Sequence, residues 1–146
     1  MKPRLNVITL AVSDLEKALA FYRDGLGLPS KGLVGTEFKG SDTEPAGAVA
    51  FFELKGGLLF ALYPRKDLAK DSRVPNGPSS SVEFSIGYAV ESREEVDKLL
   101  HQAQRAGAQI TDQPHDRAWG IYSGYFADLD GHLWEVLWSP GMPLSD

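Results

Sequence analysis

An internal repeat is the feature that most constrains how this chain can fold. The segment FFELKGGLLFAL at 51–62 aligns without a gap on YFADLDGHLWEV at 125–136, each residue lying 74 positions before its counterpart. In both segments apolar stretches flank a glycine, Gly57 in the first and Gly131 in the second. This pattern predicts two strands joined by a tight turn in which glycine supplies a positive φ. Each half of the chain is therefore predicted to end in the same hairpin.

The two halves also begin alike. An apolar strand pattern at 7–12 leads into SDLE, another at 84–90 leads into SREE, and a helical spacing of apolar residues follows each. A serine three residues before a glutamate predicts a capping box, with Ser13 and Ser92 as the capping residues. A strand–helix start and a hairpin end in each half predict an α+β fold of two βαβββ modules. We place the modules at 5–70 and 81–140 of a single domain, with a linker rich in Ser, Pro, Asn and Gly near 71–80.

Strand alternation assigns the side chains to two faces. The bulkier set is predicted to pack under a helix: Ile8, Leu10 and Val12 in the first strand, Phe84, Ile86, Tyr88 and Val90 in the fifth, and Trp134, Val136 and Trp138 in the last. The opposite set is smaller and more polar in the first and fifth strands. Small side chains on a concave face leave room for a ligand, although a flat, solvated face would accept them equally well.

Glu135 is the strongest candidate functional residue, because it is the only carboxylate on the smaller set in these three strands. A carboxylate among small neutral side chains is unfavourable unless it is paired, protonated or hydrated. Glu135 is therefore a ligand-binding carboxylate or a general base; alternatively, it faces water or pairs with an arginine such as Arg117. Trp119 and Tyr125 are predicted to add aromatic walls to the same pocket, or else to pack against the linker or a second subunit.

The segments VSDLEKALAFYRDGLGL at 12–28 and WGIYSGYFADLDGHLWEV at 119–136 resemble the first strand–helix unit and the terminal hairpin of the vicinal oxygen chelate superfamily. This superfamily contains glyoxalase I, bleomycin-resistance proteins and extradiol dioxygenases, and the resemblance covers residues 5–140. It implies the glyoxalase/bleomycin resistance fold, in which two βαβββ modules form a half-open barrel with a ligand site in the cup between them. It also implies a homodimer.

Metal-dependent members of the superfamily hold their ion with residues on the first, fourth, fifth and eighth strands. The resemblance carries these positions onto Val7, Ala61, Ser85 and Glu135. A catalytic divalent metal needs about three protein ligands, usually imidazole or carboxylate. Two of these side chains have no donor atom and a serine hydroxyl is a poor ligand, so we predict no bound metal and no other cofactor. The three histidines, at 101, 115 and 132, are predicted to be exposed or locally hydrogen-bonded.

The composition limits the kinds of partner and the cellular location that we expect for this protein. A net charge of −5 disfavours nucleic acid and anionic membranes, both of which require a basic surface. No apolar run approaches the roughly 20 residues that span a bilayer. The chain has no cysteine, and its start runs from a short apolar stretch into charged residues without a cleavage site, which favours the cytoplasm.

These observations leave three functional hypotheses. The first is a metal-independent small-molecule-binding protein whose aromatic or cationic ligand lies in a pocket lined by Val7, Thr9, Ala61, Ser85, Trp119, Tyr125 and Glu135. The second is a glyoxalase-like lyase or isomerase in which Glu135 is the catalytic general base. The third is a metal-dependent glyoxalase or dioxygenase. The long connection at 32–47 is predicted to be either a lid over a site or a surface excursion.

Overall fold

The computed structural model describes residues 2–78, 80, 84–117 and 120–142. The chain divides into two compact units, Met1–Pro78 and Ser79–Asp146, and each contains one four-stranded mixed sheet with helices. The predicted α+β fold with two modules is confirmed. None of the helices in the described ranges is long and apolar enough to cross a membrane.

The elements of the first module are β1 (Val7–Val12), α1 (Leu15–Ala20), β2 (Leu33–Val34), β3 (Val49–Glu53), β4 (Leu59–Pro64) and α2 (Arg65–Ser72). Its strands lie in the spatial order β1-β4-β3-β2, with β1 parallel to β4 and the other pairs antiparallel. A wider π-helical turn at Phe21–Gly25 follows α1 and buries Tyr22. The Tyr22 ring lies 5.0 Å from the Phe60 ring and 6.1 Å from the Phe52 ring, so three aromatic side chains form the centre of this core.

The elements of the second module are β5 (Ser85–Ala89), α3 (Arg93–Arg105), β6 (Gln109–Asp116), β7 (Tyr122–Ala127) and β8 (Leu133–Trp138). Its strands repeat the topology of the first module in the order β5-β8-β7-β6, with β5 parallel to β8. The helix α3 buries Val96, Leu100 and Ala103 and packs chiefly against β6, β7 and β8. On the same side, Phe126 stacks on Trp134 with 6.0 Å between the ring centroids.

The repeat seen in the sequence is a repeat of backbone structure. The strands β4 and β8 start and end 74 residues apart, at 59 and 133 and at 64 and 138. The preceding turns are closed by equivalent hydrogen bonds, from the Leu54 amide to the Leu58 carbonyl at 2.8 Å and from the Asp128 amide to the His132 carbonyl at 2.9 Å. Gly57 and Gly131 have φ of 79° and 86°. Both predicted hairpins and their glycine turns are confirmed.

The capping prediction holds in part for one helix and fails for the other. Ser92 Oγ accepts a hydrogen bond from the Glu95 amide at 3.2 Å, as predicted. Glu95 Oε2 accepts from the Glu91 amide at 2.9 Å, one residue before the amide of Ser92 that a capping box would use. The cap of α1 is Asp14, whose carboxylate accepts from the Lys17 amide at 3.0 Å. Ser13 was the wrong choice, because the side chain of Asp14, one residue later, caps the amide, and an acidic residue at this position also interacts favourably with the helix dipole.

The core prediction is wrong for the edge strand β5. Phe84, just before the strand, and Tyr88 within it are each 50% exposed. The reason is topological: β5 lies at the edge of its sheet, and α3 covers the other three strands. In the central strand β8, Trp134 and Val136 are buried as predicted.

The helix α2 begins directly after β4 and includes Asp71 and Ser72, which the composition assigned to a linker. It fastens the long connection between β2 and β3. The buried carboxylate of Asp67 accepts a hydrogen bond from the Ala46 amide at 3.0 Å, and Lys70 Nζ donates to the Ser41 carbonyl at 2.8 Å. The Tyr63 hydroxyl, from the end of β4, donates to the Ala46 carbonyl. These anchors favour a fixed surface excursion over a lid.

Candidate functional site

Glu135 lies in the middle of β8, on the face of the second sheet that is turned away from α3. Its flanking residues Trp134 and Val136 are buried on the helix side. Across the sheet, its neighbours are Gly87 in β5 and Tyr125 in β7. Gly87 has no side chain, and a Cβ placed there would approach only Leu137, at 3.6 Å. Glu135 is partly exposed, with the exposed Gly87 on one side and the Tyr125 ring on the other.

A chain of side-chain hydrogen bonds holds this carboxylate. The fully buried Ser123 donates through Oγ to Glu135 Oε1 at 2.8 Å. Arg117 Nε donates to the same Ser123 Oγ at 2.5 Å, and Arg117 Nη2 donates to Asp112 Oδ2 at 2.6 Å. Arg117 therefore forms its ion pair with Asp112 and not, as the alternative predicted, with Glu135, and the Ser123 hydroxyl lies between Arg117 and Glu135.

Tyr125 completes the arrangement from the neighbouring strand. The guanidinium carbon of Arg117 lies 5.3 Å from the centroid of its ring, within the range of a cation–π contact. Burial raises the pKa of Tyr125, and the charge of the adjacent Glu135 and a hydrogen bond with it raise the pKa further. The phenol is thus protonated at neutral pH and serves as a hydrogen-bond donor beside the carboxylate.

Asp112 is the second acidic group of the cluster. The hydrogen bond from Arg117 and, after it, the hydrogen bond with His115 lower the pKa of Asp112, so that it is ionised at neutral pH. His115 Nε2 lies 3.1 Å from the same oxygen, Oδ2, that Arg117 binds. His115 lies in β6. The local hydrogen bond predicted for such a histidine is present.

Two irregularities in β6 bring Asp112 to this face. The pairing with β7 shifts between Ile110 and Asp112 and again between Asp112 and His115, which places Asp112 opposite Tyr125. Because a shift of one residue moves a side chain to the other face of a sheet, simple alternation would have placed Asp112 wrongly. A Cβ at Gly124 would lie 2.9 Å from the Asp112 carbonyl oxygen and 2.7 Å from Leu100, so only glycine allows this close packing.

The seven residues predicted to line the pocket fall into separate groups. Thr9 and Ala61 are register partners in the first sheet, with Val7 two residues along β1 on the same face. Ser85, Tyr125 and Glu135 share one face of the second sheet. Trp119 lies outside the described residues. Asp112 was not predicted from the sequence; Pro114, which is unusual inside a strand, was the available sign that β6 is irregular there.

The residues at the family's metal-ligand positions do not fit a divalent ion. Val7 and Ala61 have hydrocarbon side chains, and Ser85 offers a neutral hydroxyl. Glu135 is the one strong donor of the four, and it already accepts a hydrogen bond from Ser123. Across the described ranges, no group of three or more His, Cys, Asp or Glu side chains could hold a metal ion.

Residues 4–136 match the model of the Glyoxalase/Bleomycin resistance protein/Dioxygenase superfamily, and the chain belongs to this superfamily. Its relatives include the metallothiol transferase FosB of Lysinibacillus sphaericus (strain C3-41), 31% identical over 134 residues, which cover 90% of this chain and 79% of FosB.

Solved structures agree with this assignment. A glyoxalase-related enzyme from Fulvimarina pelagi superposes with a TM-score of 0.79 at 26% identity, covering 98% of this chain and 93% of that one. A mutant of the fosfomycin resistance protein FosX from Listeria monocytogenes superposes with a TM-score of 0.63 at 25% identity, covering 93% and 90%. That structure contains Mn(II) and 1S,2S-dihydroxypropylphosphonic acid.

Proposed function

We propose that this protein binds a small aromatic or cationic molecule, without a metal ion, on the face of the second sheet that carries Glu135. The observation that carries the proposal is the way Glu135 is held and the side chains that surround it. Ser123 fixes one carboxylate oxygen, Tyr125 lies on one side, and the exposed Gly87, which has no side chain, lies on the other. A partly exposed, oriented carboxylate beside an aromatic ring is suited to a cation or a strong hydrogen-bond donor.

Similarity to FosB and FosX favours a metal-dependent reaction, since the name of one and the bound Mn(II) of the other point that way. The side chains argue against carrying that property over. A hydrocarbon at Val7 and another at Ala61 leave at most Ser85 and Glu135 as protein donors, fewer than a catalytic ion requires. Metal-dependent glyoxalase or dioxygenase activity is therefore the weakest of the three hypotheses.

A second candidate function is a lyase or isomerase reaction in which Glu135 removes a proton. The observation in its favour is the protonated phenol of Tyr125 beside the carboxylate, which supplies a donor next to a base. General acid–base catalysis needs such groups within hydrogen-bonding reach of the proton that moves. If Glu135 is a base, Glu135→Gln abolishes turnover and leaves substrate binding largely intact, whereas a binding carboxylate loses affinity.

The variant Glu135→Gln tests the proposed function. Glutamine keeps the shape and the bond with Ser123 but removes the charge, so affinity for benzyltrimethylammonium, a small aromatic cation, should fall about tenfold. Binding is measured by NMR titration of the labelled protein. Glu37→Gln is the control, because it removes the same charge from an exposed position between β2 and β3. Both variants should melt close to the wild-type temperature.

Three results would contradict the proposal. One is unchanged binding by Glu135→Gln; another is its unfolding, which would make Glu135 part of a structural pair. The third is a stoichiometric divalent metal in the dialysed protein together with loss of binding on chelation. Homodimerisation and a cytoplasmic location remain predictions from the sequence.

A further inference from the structure

We infer that Asp112 determines the charge preference of this site: by engaging Arg117, it leaves the Glu135 carboxylate uncompensated, so that the site accepts monocations and rejects anions. The inference rests on the proposed function, because it concerns the same site. It goes beyond that function by assigning specificity to a residue that need not touch the ligand.

Arg117 would otherwise be the natural anion-binding group of this face. Guanidinium groups bind carboxylates, phosphates and phosphonates through two or more N–H donors. Here Nη2 donates to Asp112 Oδ2 at 2.6 Å and to the Ser123 carbonyl at 3.3 Å, and Nε donates to Ser123 Oγ. The guanidinium carbon also lies 5.3 Å from the centroid of the Tyr125 ring. Three of its five N–H donors are thus engaged by Asp112 and Ser123, and its positive charge is paired with Asp112.

The charges around Glu135 do not cancel. Asp112 and Arg117 neutralise one another, and the Tyr125 phenol is uncharged. Asp116, in the same strand, pairs with Arg93 at 2.6 Å. His115 lies against Asp112 and contributes charge only when it is protonated. One negative charge, that of Glu135, is left on the cluster, and its complement is a single positive charge.

The mechanism is electrostatic and gives opposite effects for two substitutions. Asp112→Asn leaves the Arg117 charge unpaired, which should weaken cation binding and strengthen anion binding. Arg117→Gln leaves two carboxylates unpaired, which should do the reverse. The Asp112 side chain is 44% exposed, so its replacement buries no unpaired group, and the variant should fold.

The test uses three probes with a common benzyl ring: benzyltrimethylammonium, benzyl alcohol and benzylsulfonate. They carry one positive, no and one negative charge, and NMR titrations at pH 8 give their affinities. The wild type should bind them in that order. In Asp112→Asn, cation binding should weaken and anion binding strengthen by about threefold each, so that their ratio changes about tenfold. Arg117→Gln should move the ratio the other way.

Asp116→Asn is the matched control. It removes a carboxylate from the same strand that also pairs with an arginine, so the overall charge changes equally. The ratio of cation affinity to anion affinity in Asp116→Asn should equal that of the wild type. If Asp112→Asn leaves the ratio unchanged while the wild type binds the cation, the inference is wrong and the proposed function stands. If the wild type binds none of the probes, or prefers the anion, the proposed function fails and the inference with it.

Discussion

The two modules share a backbone and differ in what they place on it. The residues that cross each sheet at the level of Glu135 are register partners in β1, β4 and β3 of the first module and in β5, β8 and β7 of the second. The first row is Thr9, Ala61 and Phe51, and the second is Gly87, Glu135 and Tyr125. Because the hairpin and the helix-facing core are enough to fix the register, the opposite face is free to differ. The row in the first module has no charged side chain and one polar one, Thr9, whereas the row in the second module contains the Glu135 carboxylate and the Tyr125 phenol.

The modules also differ in the edge strand that pairs with β3 in the first module and with β7 in the second. In the first, β2 has two residues and leads into the long connection that α2 fastens. In the second, β6 has eight residues, and its irregular pairing carries Asp112 to the Glu135 face. The polar network therefore depends on β6, whose counterpart in the first module, β2, is only two residues long.

The largest expected effect tests whether the two cores are equivalent. Phe52 and Phe126 occupy the same position of the repeat, and both are buried, at 0% and 2% exposure. Replacing either by alanine should lower the free energy of unfolding by about 3–5 kcal/mol, because a large cavity forms. Phe52→Ala should lie at the upper end, since Phe52 packs against two aromatic rings. Urea denaturation measures both values.

The control for this prediction is Phe51→Ala, one residue away on the opposite face. Phe51 is 39% exposed, so the loss should be only about 1–2 kcal/mol. Equal losses for Phe51→Ala and Phe52→Ala would show that the face opposite α1 is as tightly packed as the core. The contrast between the two faces would then be wrong.

A smaller effect should separate the two turns. Asp128 is buried, and its Oδ1 accepts from the Asp130 amide at 2.9 Å and the His132 amide at 2.8 Å, while Oδ2 lies 2.7 Å from His132 Nδ1. Leu54, at the equivalent position, has no polar side-chain atom to close its turn. Asp128→Ala should destabilise the protein by about 2–3 kcal/mol and Leu54→Ala by about 1 kcal/mol. A smaller loss for Asp128→Ala than for Leu54→Ala, measured by thermal melting, would overturn this ranking.

The sequence predicted whatever depends on periodicity and failed where packing or irregularity decides. The 74-residue offset predicted both hairpins, and alternation placed Tyr125 and Glu135 on one face. Alternation could not show that α3 leaves β5 uncovered, so Tyr88 was wrongly assigned to the core. It also could not place Asp112, because pairing shifts in β6 break the period of two on which the assignment of faces depends.

The smallest expected effect concerns the titration of one tyrosine in each module. Burial raises the pKa of both Tyr63 and Tyr125, with further contributions from Asp67 and Asp71 in the first case and from Glu135 in the second. A raised phenol pKa means that the folded state holds the proton more tightly than the unfolded state. The resulting stability is complete below the ordinary value near 10 and is lost as pH rises through the raised pKa.

Glu135→Gln removes the charge but not the burial, so it should lower the pKa of Tyr125 part of the way and leave that of Tyr63 unchanged. Absorbance at alkaline pH, with Tyr125→Phe and Tyr63→Phe to assign the transitions, measures both values. Should Tyr125 titrate identically with and without the Glu135 charge, the phenol and the carboxylate do not interact, and the polar row of the second module would lose its central contact.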